Sequence, residues 1–327
     1  MTLSKSKKVL DGRNHMDKNC ILAVVGPTGG GKSALALKLC ERLDGELISC
    51  DSMQIYRRMD VGTAKPTAEE QRRVKHHLID IVEPTEPFSV SDYVQLARVA
   101  IEDCVRRGKL PVICGGTGLY LDARLRKNDF EPNTTDDSIR KELTQRYERE
   151  GADALWNELN EIDPESAALT HKNNAKRVIR ALEIYRVSGR KKSELDLESR
   201  QGGMRYDAFV IGLEYSNREK LYERINDRVT QMLDDGLVDE TRRLIDEGVF
   251  EKNATAAQAI GYKELFPYFE GHATLEKAAE DLRTATRRYA KRQMTWFSAK
   301  DYVKWIEADE KTFEDIVNNA VELFKRS

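Results

Sequence analysis

The chain is poor in the features that mark secreted, membrane-spanning or broadly nucleic-acid-binding proteins. Its 327 residues hold five cysteines (Cys20, Cys40, Cys50, Cys104 and Cys114), an odd number with no C-x-x-C pair. That argues against a disulfide framework or a zinc ribbon and fits buried thiols in a reducing cytoplasm. No apolar run reaches the length of a membrane-spanning helix, so no membrane contact is expected. Residues 1–19 carry lysines, Asp11 and Asp17 but no apolar segment, and read as a mobile polar tail, neither signal peptide nor presequence. The formal net charge of −2 lacks the cationic excess of a nonspecific nucleic-acid binder. Any such contact must come from a local patch. There is no internal repeat and no low-complexity tract.

What is present is a chain with 40% hydrophobic and 34% charged residues, enough for a packed core under a solvated surface. The first third alternates apolar strands with helical patterns. Ile21–Val25, Glu46–Cys50, His77–Val82 and Leu110–Cys114 read as strands. Ser33–Leu43 and Ser91–Arg107 read as helices, the second capped by Ser91. The alternation predicts an α/β fold, a parallel sheet with helices on both faces. After Leu125 the pattern changes. Asn128–Asp137 is polar and turn-rich, Ser138–Val187 is helical, and one more strand follows at Tyr206–Leu213. The expected domains are therefore a core of residues 20–125 and 204–327 and a helical insertion of residues 126–203. Beyond Leu213 the chain reads as helical, including Arg218–Asp235, Val238–Glu247 and Leu275–Ser298.

The sharpest motif is a P-loop. Gly26, Pro27, Thr28, Gly29, Gly30, Gly31, Lys32 and Ser33 match G-x-x-x-x-G-K-[ST] between a strand and a helix, the context the motif requires. The glycines let backbone amides turn toward phosphate oxygens, and the helix start adds partial positive charge. Lys32 can reach the terminal phosphate and Ser33 can ligate Mg²⁺. Ligands of such sheets sit at the carboxyl ends of the strands. Two further segments fall there, Asp51–Tyr56 and Gly115–Tyr120. Asp51 reads two ways from position alone: Mg²⁺ ligation or capping of the next turn, or general base toward an incoming nucleophile. The Gly115–Gly118 turn brings Thr117 close to a ligand. The adjacent pair His76 and His77 points to opposite faces of a strand, no Cys or Glu nearby is expected to complete a metal site with it, and a structural role is expected.

A local basic patch exists. Arg283, Arg287 and Lys291 repeat at i, i+4 and i+8, with Arg288 and Arg292 beside them, and no acidic residue stands between Arg283 and Arg292. The usual i, i+4 balance of a surface helix is missing there, which points to a phosphate-rich partner. Lys176, Arg177 and Arg180 form a second cationic segment, and Arg224 and Arg228 a third.

With these residues in view, the chain resembles the tRNA dimethylallyltransferases. The resemblance rests on nine ordered segments: Gly26–Ser33, Asp51–Gln54, Asp60–Pro66, His76–Asp80, Gly115–Tyr120, Arg177–Glu183, Arg218–Met232, Ile260–Glu264 and Ala290–Trp296. It implies transfer of a dimethylallyl group from dimethylallyl diphosphate to N6 of the adenosine just 3′ of the anticodon, in the tRNA anticodon stem-loop. The base would be flipped into a pocket. The P-loop would then hold a departing diphosphate. Lys32, Ser33 with Mg²⁺ and Arg228 would neutralise its charge. By the resemblance Asp51 takes the proton of the attacking amine, and Thr117 positions the reacting groups. Asp51, Ser52, Met53 and Gln54 lie where the acceptor base is read, and the cationic segments contact tRNA. Five positions depart from the family pattern: Gly29, Gly30 and Ser33 in the P-loop, Asn174 for a common aspartate, and Ser298 for a frequent arginine. The competing readings are an adenylate isopentenyltransferase using free AMP, ADP or ATP, a P-loop small-molecule kinase, and a noncatalytic RNA-binding protein. The basic helix disfavours the first two, and the P-loop with Asp51 disfavours the last. A monomer acting in the cytoplasm is expected.

Overall fold

The computed structural model describes residues 20–125, 136–201 and 206–327. The polar tail, most of the turn-rich stretch 128–137 and the glycines at 202–203 lie outside the described residues. The chain divides into two compact units, one formed by Met1–Asp122 with Tyr206–Ser327 and the other by Ala123–Arg205.

The larger unit is built on six parallel strands: β1 (Cys20–Val25), β2 (Gly45–Ser49), β3 (His76–His77), β4 (Leu110–Cys114), β5 (Asp207–Glu214) and β6 (Val303–Glu307). Their spatial order is β3-β2-β4-β1-β5-β6. In β1, Ile21–Val25 are buried throughout, as a central parallel strand covered on both faces must be. Its neighbours are β4, with Leu22 opposite Val112, and β5, with Leu22 opposite Phe209. The carboxyl ends of β1, β2 and β4 therefore open on one crevice.

The first helices are α1 (Lys32–Leu43), α2 (Ala68–Arg73), α3 (Val90–Arg106) and α4 (Gly118–Leu125); α1 and α3 bury apolar faces, and α2 buries none. The smaller unit holds α5 (Asp137–Glu150), α6 (Ala152–Ile162), α7 (Pro164–Ala168), α8 (Ala175–Ser188) and α9 (Lys192–Gln201). The rest are α10 (Arg218–Asp234), α11 (Leu237–Asp246), α12 (Val249–Lys252), α13 (Phe266–Phe269), α14 (Leu275–Ser298) and α15 (Phe313–Lys325). Leu35 and Leu39 of α1 pack with Ile316 and Val317 of α15 against the sheet. On α10 and α14, Val229 and Leu282 share an apolar cluster with Tyr56 and Tyr262. Among the described residues no helix is long and apolar enough to cross a membrane.

The smaller unit packs Leu143, Leu155, Leu159, Val178 and Leu182 together. Its one fully buried carboxylate among the described residues, Glu183, is held by Arg140 at 2.9 Å, Arg180 at 2.8 Å and the Asp136 amide at 3.1 Å.

Three expectations need correction. The strand expected at His77–Val82 stops at His77, because Leu78 and Asp80 take left-handed backbone (φ 61° and 56°) and break the extension. The third helix is capped by Ser89, in a capping box with Asp92, so Ser91 lies within it. The tail beyond Leu213 is not all helix, since β6 adds an edge strand beside β5 with Gly212 opposite Trp305.

Candidate active site

The P-loop leaves β1 at Gly26, whose φ of 136° only glycine adopts freely. A Cβ there would lie 2.7 Å from the Leu213 carbonyl oxygen. The loop is then propped from outside by its own unit. Arg224 Nε donates to the Gly29 carbonyl (3.0 Å), Tyr215 to the Gly30 carbonyl (3.3 Å), and the Thr28 amide donates to Gln293 Oε1 (2.7 Å). Gly31 enters α1 in left-handed backbone with no side-chain cap. The first amides of that helix are thus left for an anion. Lys32 Nζ donates to the Pro27 carbonyl at 2.9 Å. Burial is the main cause that lowers its ammonium to about 8, and the nearby Arg228 charge adds to it while Asp51 opposes it. Burial also lowers Arg228, again against Asp51. Two partly desolvated cations and one carboxylate thus share the same field. An arriving polyphosphate would relieve the two cations.

Asp51 follows β2. Its Oδ1 accepts from the Met53 amide at 2.9 Å and the Gln54 amide at 3.4 Å, an Asx-type turn. Capping therefore occupies one carboxylate oxygen, and the cavity of about 290 Å³ that Asp51 shares with Thr28, Ser52, Met53 and Arg228 receives the group. Gln54 is more committed than expected: its carboxamide accepts from Ser49 Oγ (3.0 Å) and donates to the Thr63 and Ala64 carbonyls (3.2 Å each). Thr117 opens α4, its carbonyl accepting from the Tyr120 and Leu121 amides, and its own amide donates to the Cys50 carbonyl at 3.4 Å. Tyr289 faces Thr117 and Gln293, and burial pushes its phenol up to about 12.

Oxygen donors meet near the P-loop: Ser33 and Asp51 line one connected cavity. A hydroxyl, a carboxylate, and phosphate oxygens brought by a ligand are the hard donor set that Mg²⁺ prefers. The residues present fit that ion. Elsewhere, the expectation that no Cys or Glu joins the histidine pair is overturned. His77 Nε2 lies 2.7 Å from Glu46 and 3.6 Å from Cys104 Sγ. Arg107, however, bonds both Glu46 oxygens, and its hydrogen bonds are the main cause that holds this carboxyl down to about 2. The cluster therefore ties β2, β3 and α3 together.

The cationic helix α14 also differs from its sequence reading. Arg283 donates to Thr230 at 3.2 Å, and Arg287 to Asn226 at 3.0 Å and Glu280 at 2.7 Å. Two of the three expected RNA contacts are thus turned onto α10, and Glu280, just ahead of the acid-free stretch, supplies the missing countercharge. Arg288, Lys291 and Arg292 are exposed, with no carboxylate paired to them among the described residues. In the smaller unit Lys176 and Arg177 are exposed at the start of α8, while Arg180 pairs with Glu183. Asn174 caps that helix by accepting from the Arg177 amide, so the departure from aspartate keeps the cap. Ser298 turns back to the Met294 carbonyl.

Sequence reasoning missed Gln293. Its Oε1 pins Thr28 and its Nε2 donates to the Gly116 carbonyl at 3.1 Å, so one buried amide joins two site loops. The available signal was a polar residue one turn from Tyr289 on the buried side of α14.

This arrangement can be set against known proteins. A family model described as IPP transferase matches residues 54–300, and one described as isopentenyl transferase matches residues 19–83. A tRNA dimethylallyltransferase of Caldanaerobacter subterraneus subsp. tengcongensis is 45% identical over 307 residues, covering 92% of this chain and 96% of that protein. The chain belongs to the tRNA dimethylallyltransferase family. A second member, from Geobacillus thermodenitrificans, is 47% identical over 287 residues, covering 88% of this chain and 90% of its own. The family fold is shared as well. The tRNA isopentenylpyrophosphate transferase of Bacillus halodurans superposes with a TM-score of 0.70 at 42% identity, over 94% of this chain and 96% of that one. A eukaryotic dimethylallyltransferase acting on tRNA gives a TM-score of 0.81 at 30% identity, over 94% of this chain and 80% of that one.

Proposed function

We propose that this family member transfers the dimethylallyl group of dimethylallyl diphosphate to N6 of the adenosine 3′ of the anticodon in tRNA, releasing diphosphate. The observation that carries the reading is the juxtaposition of Lys32 and Arg228 with Asp51 around the cavity that Ser33 also lines, the first two desolvated and the third with an oxygen not engaged by its turn. The exocyclic nitrogen attacks the allylic carbon, the carbon–oxygen bond to diphosphate breaks, and the amine proton passes to Asp51. The P-loop amides, Lys32 and Arg228 meet the negative charge that grows on the leaving oxygens. Mg²⁺, held by Ser33 and the diphosphate, would add further neutralisation there. Thr117, beside Tyr289, orients the reacting groups. Ser52 and Met53 face the flipped base. Gln54, Arg283 and Arg287 act on RNA only indirectly, through the loops and helix they hold. Exposed Arg288, Lys291 and Arg292 meet anticodon stem-loop phosphates, and Lys176 and Arg177 give the smaller unit a cationic segment of its own for tRNA. The acting unit is one chain in the cytoplasm.

The test offers labelled dimethylallyl diphosphate, Mg²⁺, total tRNA and free AMP together. Label on tRNA, with no requirement for added ATP, is the expected result. Label on AMP alone would replace this reading with the adenylate isopentenyltransferase one.

A further inference from the structure

Glu240 stands on α11 with only 6% of its surface exposed, and no Lys or Arg pairs with it among the described residues. Four neutral donors hold it instead. Its Oε2 accepts from the Asp60 and Val61 amides, each at 3.0 Å. Its Oε1 accepts from the Gly62 amide at 3.0 Å and the Tyr262 hydroxyl at 2.8 Å. Three successive amides turned onto one carboxylate form an anion nest, here filled by the protein's own side chain. Burying a carboxylate without a cation is expensive, so the contact needs a compensating role or very complete hydrogen bonding.

What the nest holds is a wall of the cavity. Gly62 and Thr63 line it directly, facing the same space as Asp51 and Arg228. The adjoining stretch from Gln258 to Lys263 lines it too, and Tyr262, fully buried, belongs to that stretch. The two stretches touch: a Cβ on Gly62 would fall 2.3 Å from Tyr262 Cζ. Beyond Thr63 the loop is forced as well. Ala64 sits in left-handed backbone at φ 45°, an unfavourable place for a residue with a Cβ. Lys65, its side chain 4% exposed, fixes the far end by donating to the Tyr56 carbonyl at 2.8 Å and to Asp60 at 2.6 Å. The loop is thus held at both ends in a shape it would not adopt alone.

We infer that Glu240 is a positioning residue. Through three amides and Tyr262 it fixes how the two adjoining stretches pack into the wall that faces the acceptor base. This rests on the acceptor reading of the cavity given above. Glu240 touches no reacting atom. Its charge strengthens all four bonds, and its two oxygens keep the two stretches in register.

The test compares wild type with Glu240→Gln and Tyr262→Phe. In Glu240→Gln an NH₂ group replaces one acceptor oxygen and meets two donors, so one pair must separate. Amide exchange over residues 58–64, followed by mass spectrometry without substrate, should accelerate about tenfold. In transfer assays kcat should fall on the order of tenfold or more, while the KM for dimethylallyl diphosphate and the affinity for free diphosphate stay within about twofold. Tyr262→Phe keeps the three amide bonds, so a loss of only a few-fold in kcat is expected. Unchanged exchange in Glu240→Gln overturns the inference, as does faster exchange with unchanged kcat. A loss of diphosphate affinity in step with kcat also overturns it, because that reports general loosening. If Glu240→Gln does not fold, Tyr262→Phe decides: unchanged kcat rejects the role. A wild-type protein that transfers nothing to tRNA would reject the functional reading, and the acceptor role of Glu240 with it.

Discussion

Replacing Lys32 by methionine should make the protein more stable and useless. The ammonium of Lys32 is lowered from 10.5 to about 8, mainly by burial, so at neutral pH the folded state carries a charge it would rather lose. A difference of about 2.5 between the two values corresponds to ~3 kcal/mol, and the side chain's partial exposure reduces this to ~1–2 kcal/mol. The unfolded chain keeps its proton up to 10.5, whereas the folded chain gives it up above about 8. Between these values the unfolded state binds more protons, so stability rises with pH. The cost is fully present below about 8 and fades as pH approaches 10.5. Lys32→Met removes it. Thermal unfolding at pH 7 should therefore shift upward by about 2–5 °C, and the gain should shrink at more alkaline pH. The same change removes a charge-assisted contact to diphosphate, weakening its binding by roughly 10–100-fold. Saturating diphosphate should raise the wild-type midpoint and leave that of the variant nearly unmoved. A lower midpoint for Lys32→Met at pH 7 would refute the reasoning, because the bond to Pro27 and the attraction of Asp51 would then outweigh burial.

Other outcomes follow from the same geometry. Asp51→Ala should reduce transfer by about 10²–10⁴-fold in single-turnover assays, with tRNA affinity near normal. A large loss of tRNA affinity with intact chemistry would remove the base from this role. Changing Arg288 and Lys291 to alanine should weaken tRNA binding and lower the slope of log affinity against log salt by about one for each phosphate left without its cation. An unchanged slope would make that face of α14 ordinary solvated surface. Diphosphate affinity of the wild type should fall as pH rises through about 8, since the protonated fraction of Lys32 falls there, and calorimetric titration across that range reads it. Gln293→Leu leaves the Thr28 amide and Gly116 carbonyl without their partner, which should cost ~2–4 kcal/mol in urea unfolding and raise the KM for the prenyl donor.

Much of the site was legible because it is local. The P-loop carries its glycines, lysine and serine in eight consecutive positions between an apolar run and a helix. The boundaries of α14, Leu275–Ser298, follow from an unbroken amphipathic pattern with Thr274 before it. What was hidden depends on distant partners. Gln293 meets Thr28 across 265 residues, and Glu240 meets Gly62 across 178. No spacing rule connects such pairs. The cationic face of α14 was misread for the same reason, since Asn226 and Thr230 of α10, which receive Arg287 and Arg283, are over fifty residues away. β6 escaped because five residues at a sheet edge, Val303–Glu307, give too short an alternation to stand out beside helices. The break at Leu78 was invisible because left-handed leucine has no sequence signature.

The central claim is that a P-loop holds a diphosphate leaving a carbon atom, with adenosine in tRNA as the acceptor. Mass spectrometry of nucleosides digested from tRNA, after incubation with the protein, Mg²⁺ and dimethylallyl diphosphate, tests it most directly. N6-dimethylallyladenosine next to the anticodon is expected, with one diphosphate released per group transferred and both formed at least about a hundredfold more slowly by Asp51→Ala, on the order given above. Unmodified tRNA, or transfer that requires ATP hydrolysis, would contradict it.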